Sequence, residues 1–332
     1  MKSARRTLLA TLAAALLAPA ALIGAGSALA QGTYPSKPVT IVVAYPAGGD
    51  VDVLARMLAE KLAPRLKQSV VVENRTGAAG TIGSAYVARA NPDGHTLLLA
   101  PNTVAIAPLV LRAGTGASYD VQQDFTPISQ IGTQSLFVVV NKGTGITKVS
   151  DLVARARAGK VETYATPGNG SPMHIMGELF NKSAGIKISQ VPYRGLAPAI
   201  VDVIGGQVPV TYITYGAISQ YVGNGSLVPL AVADPKRSPF APNVPTLAEL
   251  GYKDVEIGAW QALLGPKNMP AEVVRTLNAH VNEILKMPDV VARMATIAVT
   301  PSGGDPAVLS KLIAADTARY TKVVKEFGIQ AD

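Results

Sequence analysis

The chain has 332 residues, no cysteine and a formal net charge of +8, with 16% charged and 48% hydrophobic residues. Its length suggests about two domains and a core that needs no staples, and the missing thiols exclude disulfides, cysteine-ligated zinc and iron–sulfur centres. It is too apolar for a disordered protein, and its apolar residues are too evenly spread for a multi-span membrane protein. In chain order, the first element is a leader. Met1-Lys2-Ser3-Ala4-Arg5-Arg6 is basic, residues 7–25 are apolar, and Ala28-Leu29-Ala30 places small residues at −3 and −1. The pattern predicts a secretory signal peptide over 1–30, cut before Gln31, and a periplasmic mature protein. A retained membrane anchor is the rival reading; with no Cys at the cleavage point, a lipoprotein anchor is excluded. Without residues 1–30, which hold Lys2, Arg5 and Arg6, 27 basic residues face 22 acidic ones, a net +5 over 302 residues. That surplus is scattered, and its clusters (Lys236-Arg237; Arg155, Arg157, Lys160) are too small for a nucleic-acid footprint.

Val39–Tyr45 is a β-branched run that reads as a strand buried on both faces. Pro46-Ala47-Gly48-Gly49 breaks it, and Leu54, Met57, Leu58, Leu62 and Leu66 then share one face of a helix. Ser69–Glu73 is a strand, Gly77–Gly83 opens an Ala-rich helix, and Thr96–Ala100 is a third strand. This β-α-β-α-β order predicts a parallel, doubly wound sheet. The middle repeats the logic: a long extended run over Ile128–Val140, a helix over Ser150–Ala158, a strand over Val161–Ala165, and a helix from Met173 with Pro172 in its first turn. Strands at Ile188–Val191, Val208–Ile213 and Leu227–Ala233 follow, with a helix at Ala197–Ile204. Val255–Leu264 is extended again, and amphipathic helices over Ala271–Lys286 and Pro306–Phe327 close the chain. The segments near 129–140 and 255–265 are candidate crossings between two α/β units.

Enzyme motifs are missing. There is no nucleophile elbow, no phosphate-binding P-loop, and none of the three histidines (His95, His174, His280) sits at metal-ligand spacing. Gly77-x-x-Gly-x-x-Gly83 lacks the start of a dinucleotide fingerprint and follows the wrong strand. Two strand–loop–helix junctions built alike stand out: Tyr45–Asp52 and Ala165–His174. Each brings unpaired backbone N–H groups and a positive helix end to the carboxyl edge of a strand, which suits a carboxylate. Ordinary βα turns would have the same composition.

Tyr34-Pro35-Ser36-Lys37-Pro38-Val39-Thr40-Ile41-Val42-Val43 followed by Pro46-Ala47-Gly48-Gly49-Asp50-Val51-Asp52 resembles the start of the Bug family, the TctC-type extracytoplasmic solute-binding proteins of tripartite tricarboxylate transporters. Further matching blocks are Val72–Gly83, Asn91–Leu97, Asp124–Ile128, Gly168–Ser171 with His174, Val191–Gly195, Gly205–Val208 and Val244–Glu249. The resemblance runs from about residue 34 to the C-terminus. It implies an α/β, two-domain periplasmic binding protein of type II (Venus flytrap), each domain a doubly wound, mostly parallel sheet. Residues 31–133 plus 257–332 would form domain 1 and 134–256 domain 2, with the two extended segments as hinge crossings. It also implies a non-enzymatic receptor for a small carboxylate, monomeric and free of cofactor and metal, docking to the membrane subunits of such a transporter. This sequence departs from the family's pattern: Ala47 stands where Pro is usual and Asp50 where Ser or Thr is, while Asp52 keeps an acid. Pro209 and Ile213 replace acids, and Thr166-Pro167 replaces two small residues.

The candidate contacts follow from the two junctions and this resemblance. Tyr45, Ala47, Gly48, Gly49, Asp50 and Asp52 form the first jaw, and Thr166, Gly168, Asn169, Gly170, Ser171 and His174 the second. Asn102 and Thr103 end the third strand on the same edge, Tyr193 is placed to close the cleft from domain 2, and Ile213 lies on the strand that lost its acids. Asp52 and Ser171 are also helix caps by position, and Asp50 either caps its helix or faces the ligand. Two other classes stay open: a small-molecule enzyme of similar build, disfavoured by the missing motifs, and a ligand sensor feeding a membrane kinase.

Overall fold

The computed structural model describes residues 34–111 and 118–330. The expected leader and its cleavage site lie outside the described residues. Of residues 1–36 only Tyr34–Ser36 are described, with a cis peptide between Tyr34 and Pro35; all that follows concerns Lys37 onward.

The β-branched run after Lys37 becomes strand β1 (Val39–Val43), the centre of a parallel trio with β2 (Val70–Asn74) and β3 (Thr96–Pro101). Helix α1 (Asp50–Leu66) connects β1 to β2 and buries Leu54, Met57, Leu58, Leu62 and Leu66, the stripe its periodicity predicts. Helix α2 (Thr81–Ala88) leads to β3, and α3 (Thr103–Val110) leaves it. Helix α3 leaves no periodic signal in the sequence, because its apolar residues are nearly continuous and Pro108 lies inside it.

Strand β4 (Phe125–Asn141) organises the sheet. Over Phe125–Ser135 it pairs antiparallel with β9 (Gly258–Pro266), which in turn pairs with β3. Over Leu136–Asn141 it pairs instead with β7 (Val210–Thr214) and β8 (Leu227–Val232). Beyond β7 the order continues through β5 (Thr163–Thr166) to β6 (Ser189–Pro192), both parallel steps. The sheet is therefore parallel at its two ends and antiparallel across β4 and β9. The period-2 geometry of β4 splits its side chains: Leu136, Val138 and Val140 enter a core with Tyr164, Met176 and Phe180, while Phe137 and Val139 enter another with Ala199, Val203 and Ile213.

The remaining helices cover these faces: α4 (Val149–Arg157), α5 (Pro172–Ala184), α6 (Leu196–Ile204), α7 (Tyr215–Gly223), α8 (Ala271–Ile284), α9 (Pro288–Thr296) and α10 (Pro306–Phe327). A two-residue strand β10 (Thr300–Pro301) pairs with β4. Helix α10 packs on α3 and β4 through Leu309, Ile313 and Tyr320. No described helix is long and apolar enough to cross a membrane.

Candidate functional site

The first jaw is the loop between β1 and α1. Gly48 has φ +85°, the left-handed region where a side chain is strained, whereas Gly49, the N-cap of α1, has φ −78°, which any residue adopts. The loop is held from beneath by Asp52. Its carboxylate accepts from the Gly48 N–H (2.9 Å), from Arg56 Nε and Nη2 (2.9 and 3.0 Å) and from Asn74 Nδ2 (2.9 Å). Asn74 Nδ2 also donates to the Tyr45 carbonyl at 3.0 Å, so the loop is tied at both ends. Asp52 is 3% exposed. Burial pushes its pKa up, but these donors and the guanidinium outweigh it and hold the carboxyl below its ordinary value. Its oxygens are committed to the scaffold, so Asp52 positions the jaw. Arg56 and Asn74 escaped the sequence reading; the Asp52–Arg56 spacing of four in a helix was the available signal.

Asp50 is the first residue of α1, one past its N-cap Gly49. It turns toward β4 and accepts from Gln134 Nε2 at 2.9 Å. Gln134 Nε2 also donates to the Ile297 carbonyl (3.2 Å), and Gln134 Oε1 accepts from Gln261 Nε2 (2.7 Å). Burial raises the Asp50 pKa, and the Gln134 hydrogen bond offsets this only in part. Neither alternative expected for Asp50 includes this relay, because it depends on β4 and β9 bringing Gln134 and Gln261 to the first residue of α1.

Ala47 is exposed at the tip of the jaw. The Tyr45 hydroxyl donates to the Ala79 carbonyl at 3.2 Å and lies within hydrogen-bonding reach of Thr103; burial pushes its pKa up to about 12. Asn102 is fully buried and spends its amide on the Gly258 carbonyl and the Tyr320 hydroxyl, both at 3.0 Å, which makes it part of the floor.

The second jaw is the loop between β5 and α5. Ser171 caps α5, its Oγ accepting from the His174 N–H at 3.2 Å, and Pro172 follows at N1. The Gly170 N–H donates to His174 Nδ1 at 3.2 Å. That bond makes Nδ1 the acceptor and places the proton of the neutral ring on Nε2. Burial lowers the His174 pKa to about 4. Gly170 has φ +69°, and a Cβ there would lie 2.6 Å from Val110 Cγ2 at the end of α3. The buried Thr166 hydroxyl accepts from Gln190 Nε2, which also donates to the Gly168 carbonyl at 3.3 Å. Asn169 sits half-buried at the turn between these bonds.

Two candidates face elsewhere. The Tyr193 hydroxyl donates to Asp202 on α6 at 2.6 Å, although the Tyr193 N–H pairs with the Thr166 carbonyl and keeps its backbone beside the jaw. Ile213 is 1% exposed within the core under β7. A cavity of about 240 Å³ is lined by Gln130, Thr133, Trp260, Asp316, Arg319 and Tyr320 and by no jaw residue. Strand alternation puts Thr133 and Trp260 on the face opposite Gln134 and Gln261. Among the described residues, no group of three or more His, Asp or Glu could hold a metal.

The chain matches known proteins along nearly its whole length. The family described as tripartite tricarboxylate transporter family receptor (TctC) matches residues 54–329. Protein BugT of Bordetella pertussis is 36% identical over 310 residues, covering 93% of this chain and 94% of BugT. Among solved structures, Rpa4515 of R. palustris with adipate is 33% identical with a TM-score of 0.80, covering 90% of this chain and 99% of that one. MatC of Rhodopseudomonas palustris with bound malate is 28% identical with a TM-score of 0.77, covering 88% and 100%. The α/β fold is that of solved periplasmic binding proteins such as BugD, and the chain belongs to the TctC family of solute receptors, which are not enzymes.

Proposed function

We propose that this protein is the periplasmic receptor of a tripartite tricarboxylate transporter, exported by cleavage before Gln31, which captures a small carboxylate-bearing metabolite and delivers it to the membrane subunits. The ligand lies between two lobes, residues 31–133 with 257–332 and residues 134–256, joined by the crossings near 129–140 and 255–265. The observation that carries this reading is the matched pair of jaws. Tyr45–Asp52 and Thr166–His174 both stand at carboxyl edges of parallel strands, each presents a helix N-terminus, and β4 joins the two parts of the sheet between them. The exchange of β4 partners between Ser135 and Leu136, with Gly258 opposite Ser135, supports the hinge. A carboxylate would meet the first-turn N–H groups of α1, which helix geometry leaves without intrahelical partners. The Gly170 and His174 N–H groups of the second jaw are already spent on the chain itself.

A thermal-shift screen of small carboxylates tests the proposal. At 100 times its Kd a true ligand stabilises the protein by about 2.7 kcal/mol. Mass spectrometry should recover that ligand unchanged; its conversion by the pure protein, or no stabilisation by any carboxylate, would overturn the reading.

A further inference from the structure

Asp50 and Asp52 stand two residues apart at the start of α1 and are treated in opposite ways. Asp52 is neutralised by Arg56. Asp50 is not: among the described residues no Lys, Arg or His is paired with it, and its side-chain hydrogen bond comes from the neutral amide of Gln134. That amide has no freedom to turn away, because Gln261 and the Ile297 carbonyl engage it on both sides. The relay therefore holds a half-buried carboxylate beside the helix end that offers N–H groups to an anion.

A carboxylate fixed there without a cation is costly, and it repels any second anionic group brought near it in a poorly hydrated cleft. A ligand that carries its own cation removes both penalties at once. Its carboxylate takes the backbone N–H groups, and its ammonium takes Asp50. Resting on the receptor reading above, we infer that Asp50 is the cation-recognising group of the cleft and that the ligand is an amino-carboxylate. Gln134 and Gln261 are positioning residues that aim Asp50, and polyanions are selected against.

Calorimetry with matched pairs of the same carbon chain tests this: aspartate against succinate, glutamate against glutarate, 6-aminohexanoate against adipate. At least one amino member should bind tenfold or more tighter than its partner without the amine. Asp50→Asn, which keeps the shape and an acceptor for Gln134, should lose at least tenfold for that amino ligand. Asp50→Ser should in addition gain affinity for the dicarboxylate. Tighter binding of the partners without the amine, or a preference ratio unchanged in both variants, would overturn the role of Asp50 while leaving the receptor reading intact. If no carboxylate of either kind binds, the receptor reading falls and this assignment with it.

Discussion

In the loop after β1, one buried carboxylate gathers four donors, two of them from a guanidinium. In the loop after β5, the same task is shared by Ser171, His174 and Gln190, none of them charged at neutral pH. Both loops end in an extended N-cap residue, Gly49 and Ser171, but they differ in sensitivity. A charge-assisted network is stronger per bond and fails when the carboxylate takes a proton, whereas a neutral network depends on the tautomer of one imidazole. Packing separates them too. The Gly48 side of the first jaw is open, while Gly170 abuts Val110, so the second jaw is also a packing contact.

The largest expected effect tests that packing difference. Gly170→Val combines a clash at 2.6 Å with Val110 and a left-handed φ, and should cost about 4 kcal/mol in urea unfolding. Gly49→Val has an ordinary φ and only the Pro46 carbonyl oxygen at 3.7 Å; it should leave stability nearly unchanged and act on ligand affinity. Equal losses in both would erase the asymmetry between the jaws.

Acid should separate the jaws next. The unfolded chain binds a proton at His174 near the ordinary pKa of about 6.5, whereas the folded chain binds it only at about 4. The unfolded state therefore carries more protons between those values, and stability falls as pH drops from 6.5 to 4, by about 3 kcal/mol. His174→Asn keeps an acceptor for the Gly170 N–H and should flatten that part of the stability–pH curve. An unchanged slope would mean that another group titrates there.

Asp52 behaves differently because its folded pKa is depressed. Its contribution is complete above the ordinary carboxylate value and disappears as pH falls below it, so the first jaw should outlast the second in mild acid. Asp52→Asn, which breaks the Arg56 pair and faces an amide toward existing donors, should cost about 2 kcal/mol at pH 7. Calorimetric unfolding at pH 7 and pH 3 checks it. The mutant penalty should shrink at the lower pH, and a constant penalty would show that charge is not what holds the loop.

Periodicity alone was enough for most elements. The stripe Leu54–Leu66, the two β-α-β runs, Pro172 at N1 of α5 and the long extended run over 128–140 were legible because local burial and turn chemistry set them. So were the two junctions, since Gly, Pro and a helix start leave a compositional trace. Helices α3, α7 and α9 are harder to read: all three are short and lack a side-chain cap, and α3 is apolar nearly throughout, although α9 does carry Pro288 at its first position. The roles inside the jaws were not legible either. Asp50 reads in sequence as either a cap or a ligand contact, yet its partner Gln134 is 84 residues away; Thr166 meets Gln190, and Asn102 meets Tyr320 across 218 positions. A side chain's partner at such separation is decided by which strands become neighbours. Local sequence therefore determined the two strand–loop–helix junctions, and only the tertiary structure decided which polar groups at them are spent on the fold and that Asp50 has a neutral amide, not a cation, as its partner.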